Sequence, residues 1–206
     1  NYLLKNYEID ALVIACNTAT SVAIKHLREV FPSLIIIGTE PGIKPAINNT
    51  KTRNIGILAT ASTLKGEKYQ LLANELTTKS EVKLHEQACI GLVEQIENGE
   101  INSLKTYSML ETWLKPMLHN KVDTIVLGCT HYPLVKKTIL DIVGEDVLLI
   151  DTGDAIAKRV VTLSQDLQNN NKDELNIEIL YTGKINSDMV KIILGKNKFE
   201  MRKCEL

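Results

Sequence analysis

Two cysteines, Cys16 and Cys129, stand in the same local setting at distant points of the chain. In "ALVIACNTATS" (11–21) an apolar run leads into Cys16, Asn17 and Thr18. In "TIVLGCTHYPL" (124–134) another leads through Gly128 into Cys129, Thr130 and His131. Each thiol follows a strand-like run and is followed, within two residues, by hydroxyl groups and backbone N–H donors at a helix start. Such a position suits an anion, whether a substrate carboxylate or a thiolate.

Four readings compete for these residues. A free cysteine is commonly a small buried hydrophobe. That suits Cys89, inside "EQACIGLVEQ", and Cys204, but suits Cys16 and Cys129 less, because each lies past its apolar run. Metal binding would draw on Cys129, His131 and Cys16, yet Cys-x-His is not a usual zinc spacing and no second pair accompanies it. A Cys–His pair with an orienting acid would serve a hydrolase, which leaves one cysteine unused. A racemase employs both thiols, one removing a proton from a tetrahedral carbon while the other returns one to the opposite face.

The electrostatics of the last reading are favourable. A thiol of ordinary pKa is only about a tenth ionised near pH 7.5, so activation helps. Two thiolates ~7 Å apart at an effective dielectric near 20 would repel by roughly 2.4 kcal/mol, nearly two pKa units. The singly ionised pair that the reaction needs is therefore favoured, and its titration belongs to the pair.

Something must hold these turns in place. Short apolar runs at 11–15, 34–38, 54–59, 82–85, 122–128, 147–150, 176–181 and 198–203 read as strands. Helical patterns fill 18–30, 42–50, 62–77, 90–98, 103–118, 132–142, 153–168 and 186–194. Continuous apolar strands between helices predict a mainly parallel sheet covered on both faces, the α/β class. Breaks at "GTEPGIKP" (38–45) and "DTGDA" (151–155) predict one lobe over 40–150 and another from 1–39 with 151–206. The third strand end, "ILATASTLKGEKY" (57–69), delivers Thr60, Ser62 and Thr63 to the same carboxyl edge, where open α/β sheets bind ligands. "QNNNKDE" (168–174) reads as a polar surface loop.

Bulk properties narrow the class further. The 206 residues carry a net charge of −1, which gives no electrostatic support for a nucleic-acid or membrane-surface role. The apolar runs are too short to span a bilayer. With no basic-then-apolar leader in view and no Cys-x-x-Cys pair, a cytoplasmic protein with reduced thiols is expected.

"ACNTAT" and "GCTHYPL" together resemble the paired signature of the glutamate racemase family, within the aspartate/glutamate racemases. "EPGIKPA" after "IIIGT", and "CIGLVEQ", resemble further segments of it, so the likeness spans nearly the whole chain. The resemblance implies two pseudo-symmetric lobes with the active site between them, no cofactor and no metal. It also implies glutamate as a small-molecule substrate, D-glutamate supplied for peptidoglycan, no nucleic-acid or membrane partner, and leaves a homodimer open. It implies that Cys16 and Cys129 are the catalytic acid/base groups, with His131 assisting Cys129. Asn17, Thr18 and Thr130 would bind the substrate's carboxylate and ammonium. Thr60 and Thr63 would match a threonine-rich carboxylate site, and Glu94 a family glutamate near the cleft. Helix capping alone would explain Thr60 and Thr63, and a helix-start surface histidine would explain His131. Aspartate racemases carry Glu at the position of His131, which favours glutamate as substrate. The family's opening Asp-Ser-Gly loop and its Pro-Tyr-Gly segment have no counterpart here, so at least one βα unit is expected to lie upstream of Asn1. The competing expectations are an aspartate or related amino-acid racemase and a two-lobed amino-acid binder without chemistry.

Overall fold

The computed structural model describes residues 2–165 and 175–205. The stretch 168–174 and the end of the helix expected at 153–168 lie outside them. A short helix α1 (Tyr2–Asn6) precedes β1 (Ala11–Ile14), α2 (Asn17–Val30), β2 (Ile35–Gly38), α3 (Ile43–Asn49), β3 (Asn54–Ala59), α4 (Ala61–Lys65) and α5 (Glu67–Ser80). Then follow β4 (Lys83–Ala88), α6 (Leu92–Glu97), α7 (Leu104–His119), β5 (Thr124–Leu127), a 3-10 turn (Tyr132–Val135) and α8 (Lys136–Val143). The chain continues with β6 (Leu148–Ile150), α9 (Gly153–Leu163), β7 (Glu178–Tyr181), α10 (Ser187–Leu194) and β8 (Glu200–Lys203). The α/β class with parallel sheets flanked by helices is as expected from the apolar runs.

Within 40–150 lies one four-stranded parallel sheet of order β4-β3-β5-β6. Its two central strands, β3 and β5, are buried almost throughout, which is why their sequences read as unbroken apolar runs. Side chains leave the two faces alternately. Ile55, Ile57, Ala59 and Val126 pack with Ile43 and Ala46 of α3 and Tyr69 and Ala73 of α5. Leu58, Ile125 and Leu127 pack on the other side with Leu92 and Ile96 of α6, Leu110 and Leu114 of α7, and Ile139 of α8. The flanking segments hold two separate two-stranded parallel pairs, β1-β2 and β7-β8. Here burial is lighter, and Val13 in β1 is exposed.

Some boundaries differ from expectation for local reasons. The helix expected at 62–77 is two helices, because Gly66 is extended between them. The strand expected at 82–85 runs on to Ala88 through His85, Glu86 and Gln87, since β4 is an edge strand that pairs only with β3 and tolerates polar side chains. α6 starts at Leu92, two residues later than predicted, because Gly91 takes a left-handed φ of 83°.

The chain order reverses between the adjacent strands β3 and β5: β4 lies on one side of this pair and β6 on the other. The crevice at such a switch point, beyond the carboxyl ends, is where open α/β sheets hold ligands. Thr60 follows β3 and Gly128-Cys129 follow β5, so both flank it.

Candidate active site

Gly128 extends the sheet by one bond, its N–H donating to Leu58 O at 2.7 Å. A Cβ there would lie 2.8 Å from that same carbonyl oxygen and 3.1 Å from Ala59 Cβ, so only glycine lets β5 run this close to β3. With its N–H spent on the sheet, the Gly128 carbonyl projects onward and accepts a 2.8 Å hydrogen bond from Asn17 Nδ2. One amide thus joins the residue after Cys16 to the residue before Cys129. The Asn17 Oδ1 is buried and without a partner among the described residues.

Cys16 is exposed and occupies the N-cap of α2 with extended backbone, φ −140° and ψ 122°. Its carbonyl accepts the first helical bond, from Thr20 N at 2.8 Å, but its side chain makes no capping bond. Cys129 is partly buried and packs against the core beneath the sheet end. A cavity of 320 Å³ opens between the turns, lined by Ala15 and Asn17 on either side of Cys16, by Cys129 and Thr130, and by Thr39 and Thr152.

Three threonines meet beside this cleft. Thr18 Oγ1 is 3.1 Å from Thr63 Oγ1 and 3.4 Å from Thr60 Oγ1, and Thr60 and Thr63 are 2.9 Å apart. Thr60 also caps α4 by accepting from Thr63 N at 3.1 Å, so capping and clustering are both present. Three hydroxyls with free rotors make a donor set suited to a carboxylate.

His131 connects the second thiol to a carboxylate. Its Nδ1 is 3.7 Å from Cys129 Sγ and its Nε2 is 2.6 Å from Glu97 Oε1. As imidazolium it donates to both. The hydrogen bond to Cys129 pushes its pKa up to about 9, against the opposing effect of burial and with further help from Glu97.

Of the residues singled out in the sequence, Asn17, Thr18, Thr60 and Thr63 are drawn together with the Cys129, Thr130 and His131 turn. Cys89 and Cys204 are buried, as their apolar surroundings predicted, and burial pushes the Cys89 thiol up to about 12. Glu94 stays exposed on α6, and the carboxylate that meets His131 belongs to Glu97, three residues further along the same helix. The spacing Glu94-x-x-Glu97 places both on one side of the helix, but nothing local in the sequence distinguishes the one that reaches the histidine. Thr39, buried and bonded through its backbone N–H to Thr20 Oγ1 at 3.1 Å, also lines the cleft; it closes the segment "IIIGT" but is not among the expected site residues.

A family model described as Asp/Glu/Hydantoin racemase matches residues 3–160. A glutamate racemase of Aliarcobacter butzleri (strain RM4018) is 64% identical over 206 residues, which is 100% of this chain and 79% of that protein. Among solved structures, glutamate racemase isoform RacE1 from Bacillus anthracis matches with a TM-score of 0.82 at 30% identity, covering 100% of this chain and 77% of that one. The Escherichia coli glutamate racemase, solved in complex with L-glutamate and the activator UDP-MurNAc-ala, matches with a TM-score of 0.79 at 30% identity, over 98% of this chain and 76% of that one.

Proposed function

Because the chain belongs to the Asp/Glu/Hydantoin racemase family, we propose that it interconverts L- and D-glutamate by passing protons between two thiols, Cys16 and Cys129, with no cofactor. The observation that carries this reading is the Asn17–Gly128 hydrogen bond, which ties the two cysteine turns together at the edge of one small cavity.

In the forward direction one cysteine enters as thiolate and the other as thiol. The thiolate takes the proton from the substrate's Cα, breaking that C–H bond. The electron pair left on carbon is spread into the adjacent carboxylate. The opposing thiol then gives its proton to the other face, forming the new C–H bond and becoming thiolate. Atoms and charge balance, and the reverse direction exchanges the roles. His131, held by Glu97, is the group that stabilises a thiolate at Cys129. Thr18, Thr60 and Thr63 supply hydroxyls for a carboxylate, and Thr130 and Asn17 flank the cavity for the remaining polar groups.

We further take residues 40–150 as one lobe and 1–39 with 151–206 as the other, the cleft lying between them. The activity is assigned to the cytoplasm, acting on the free amino acid, with D-glutamate consumed in peptidoglycan synthesis.

The test is circular dichroism of pure L- or D-glutamate incubated with the protein. Ellipticity decaying to zero from either side is the expected result. Binding without decay would make the protein an amino-acid binder, and decay with aspartate alone would overturn the substrate. A thioester adduct in the mass spectrum would point to hydrolase chemistry.

A further inference from the structure

The chain that ends at Cys129 does not stop at Glu97. Glu97 is the last residue of α6, and its carbonyl has no partner within that helix. The neighbouring last-turn carbonyls are satisfied locally: Gln95 O by Glu100 N at 2.8 Å and Ile96 O by Gly99 N at 2.9 Å. The Glu97 carbonyl is instead met from far along the sequence, by Asn186 Nδ2 at 3.1 Å. The same amide uses its oxygen to cap α10, accepting from Asp188 N at 3.1 Å and Met189 N at 3.3 Å. A single side chain therefore closes the C-terminus of one helix and the N-terminus of another. Only an amide of this length does both, since a carboxylate or hydroxyl of similar reach lacks either the donor or the span.

The packing reinforces the contact. Met189, one turn into α10, is buried in the same core cluster as Leu92 and Ile96 of α6. Just beyond α6, on the way to α7, the chain turns through Gly99 at φ 81°, where an added Cβ would lie 3.5 Å from Asn186 Nδ2. The end of α6 is thus pinned from its inner face by Met189 and from its tip by Asn186. Glu97 itself is more than half exposed, and among the described residues His131 alone holds its carboxylate, so the direction of that carboxylate depends on where the helix tip is fixed.

We propose that Asn186 is a positioning residue for the second cysteine: by capping α6 and α10 at once, it fixes the helix tip from which Glu97 reaches His131, the side chain that contacts Cys129. Where activity is read, this rests on the racemase reading. The capping itself does not.

The experiment uses Asn186→Ser, with Asn186→Thr as a second variant. Both keep an oxygen that caps α10 and neither spans to the Glu97 carbonyl. Glu97→Gln is the reference for complete loss of the carboxylate. His131 is followed by NMR titration, since Cys129 and Glu97 are the groups that raise its pKa. Asn186→Ser should keep a thermal midpoint within ~2 °C of wild type. Its His131 midpoint should fall part of the way towards that of Glu97→Gln, by about half a unit. In racemisation, kcat should drop by about threefold on the alkaline side of the profile with KM unchanged, half a unit being that factor. A His131 titration that superimposes on wild type in both cap-retaining variants overturns the proposal, as does a Glu97→Gln titration that does not move. If wild type shows no racemisation while the His131 shift is present, the proposed function fails and this inference stands.

Discussion

At the end of β1, Cys16 is exposed, is preceded by Ala15, and opens a fourteen-residue helix through backbone alone. At the end of β5, Cys129 is half sunk into the core, is preceded by a glycine that no other residue can replace, and faces an imidazolium backed by a carboxylate. The same strand–Cys–helix plan is therefore finished in two ways. Repetition of a motif fixes where the thiols emerge, while their chemistry is set by what each sheet packs beside them. The buried central strands of the four-stranded sheet supply Cys129 with a packed floor, and α6 supplies a carboxylate behind its histidine. The light β1-β2 pair gives Cys16 access instead.

The comparison is broken or sharpened by graded changes. The largest effect is expected from Cys16→Ser and Cys129→Ser, each of which should lower racemisation by ~10³-fold or more, because in the proposed mechanism each removes one of the two proton carriers. Each variant should still exchange the Cα proton of one enantiomer in deuterated water. If either variant racemises normally, the two turns are not chemical counterparts and the two-thiol reading falls. Next comes Gly128→Ala, which drives a Cβ onto the Leu58 carbonyl and should destabilise by about 1–3 kcal/mol in denaturant melts. A neutral result would show that the second turn is no more rigid than the first.

Glu97→Gln should reduce kcat/KM by about tenfold at alkaline pH by letting His131 lose its proton earlier. Its effect on stability is pH-dependent. His131 sits at about 9 in the fold, above its ordinary 6.5, so its pairing stabilises fully below 6.5 and fades as pH rises through about 9. The unfolding free energies of wild type and Glu97→Gln should therefore differ at pH 6, by no more than ~1 kcal/mol for so exposed a pair, and converge above pH 10. The smallest change is Ala15→Gly, which puts into the first turn the residue that the second requires. It should destabilise by only ~0.5 kcal/mol, through the unfolded chain.

Much of this was legible in the residues. The strands of the central sheet announce themselves because both their faces are buried, so Val, Ile and Leu run without interruption in "NIGILA" and "TIVL". The cysteines are legible because they fall immediately after such runs, outside the apolar pattern that Cys89 obeys. β4 was cut short because an edge strand carries His85 and Glu86 without penalty. The contact of Glu97 with His131 is not legible in the sequence because it is made by tertiary packing: the C-terminus of α6 is aimed by Asn186 and Met189, some ninety residues away, and no window around Glu97 contains that information. The separation of β7-β8 from β1-β2 is likewise a matter of which edges meet, to which side-chain periodicity is blind.

The depth at which each sulfur lies has a practical corollary. Cys89 and Cys204 are each less than a tenth exposed, whereas Cys16 is open to solvent and Cys129 lines the cleft. A small alkylating reagent at neutral pH should therefore count to two on the folded protein and to four after denaturation, and a ligand filling the cavity should slow one of those first two additions more than the other. The chain thus carries its own occupancy gauge, readable by intact mass without any assay of turnover.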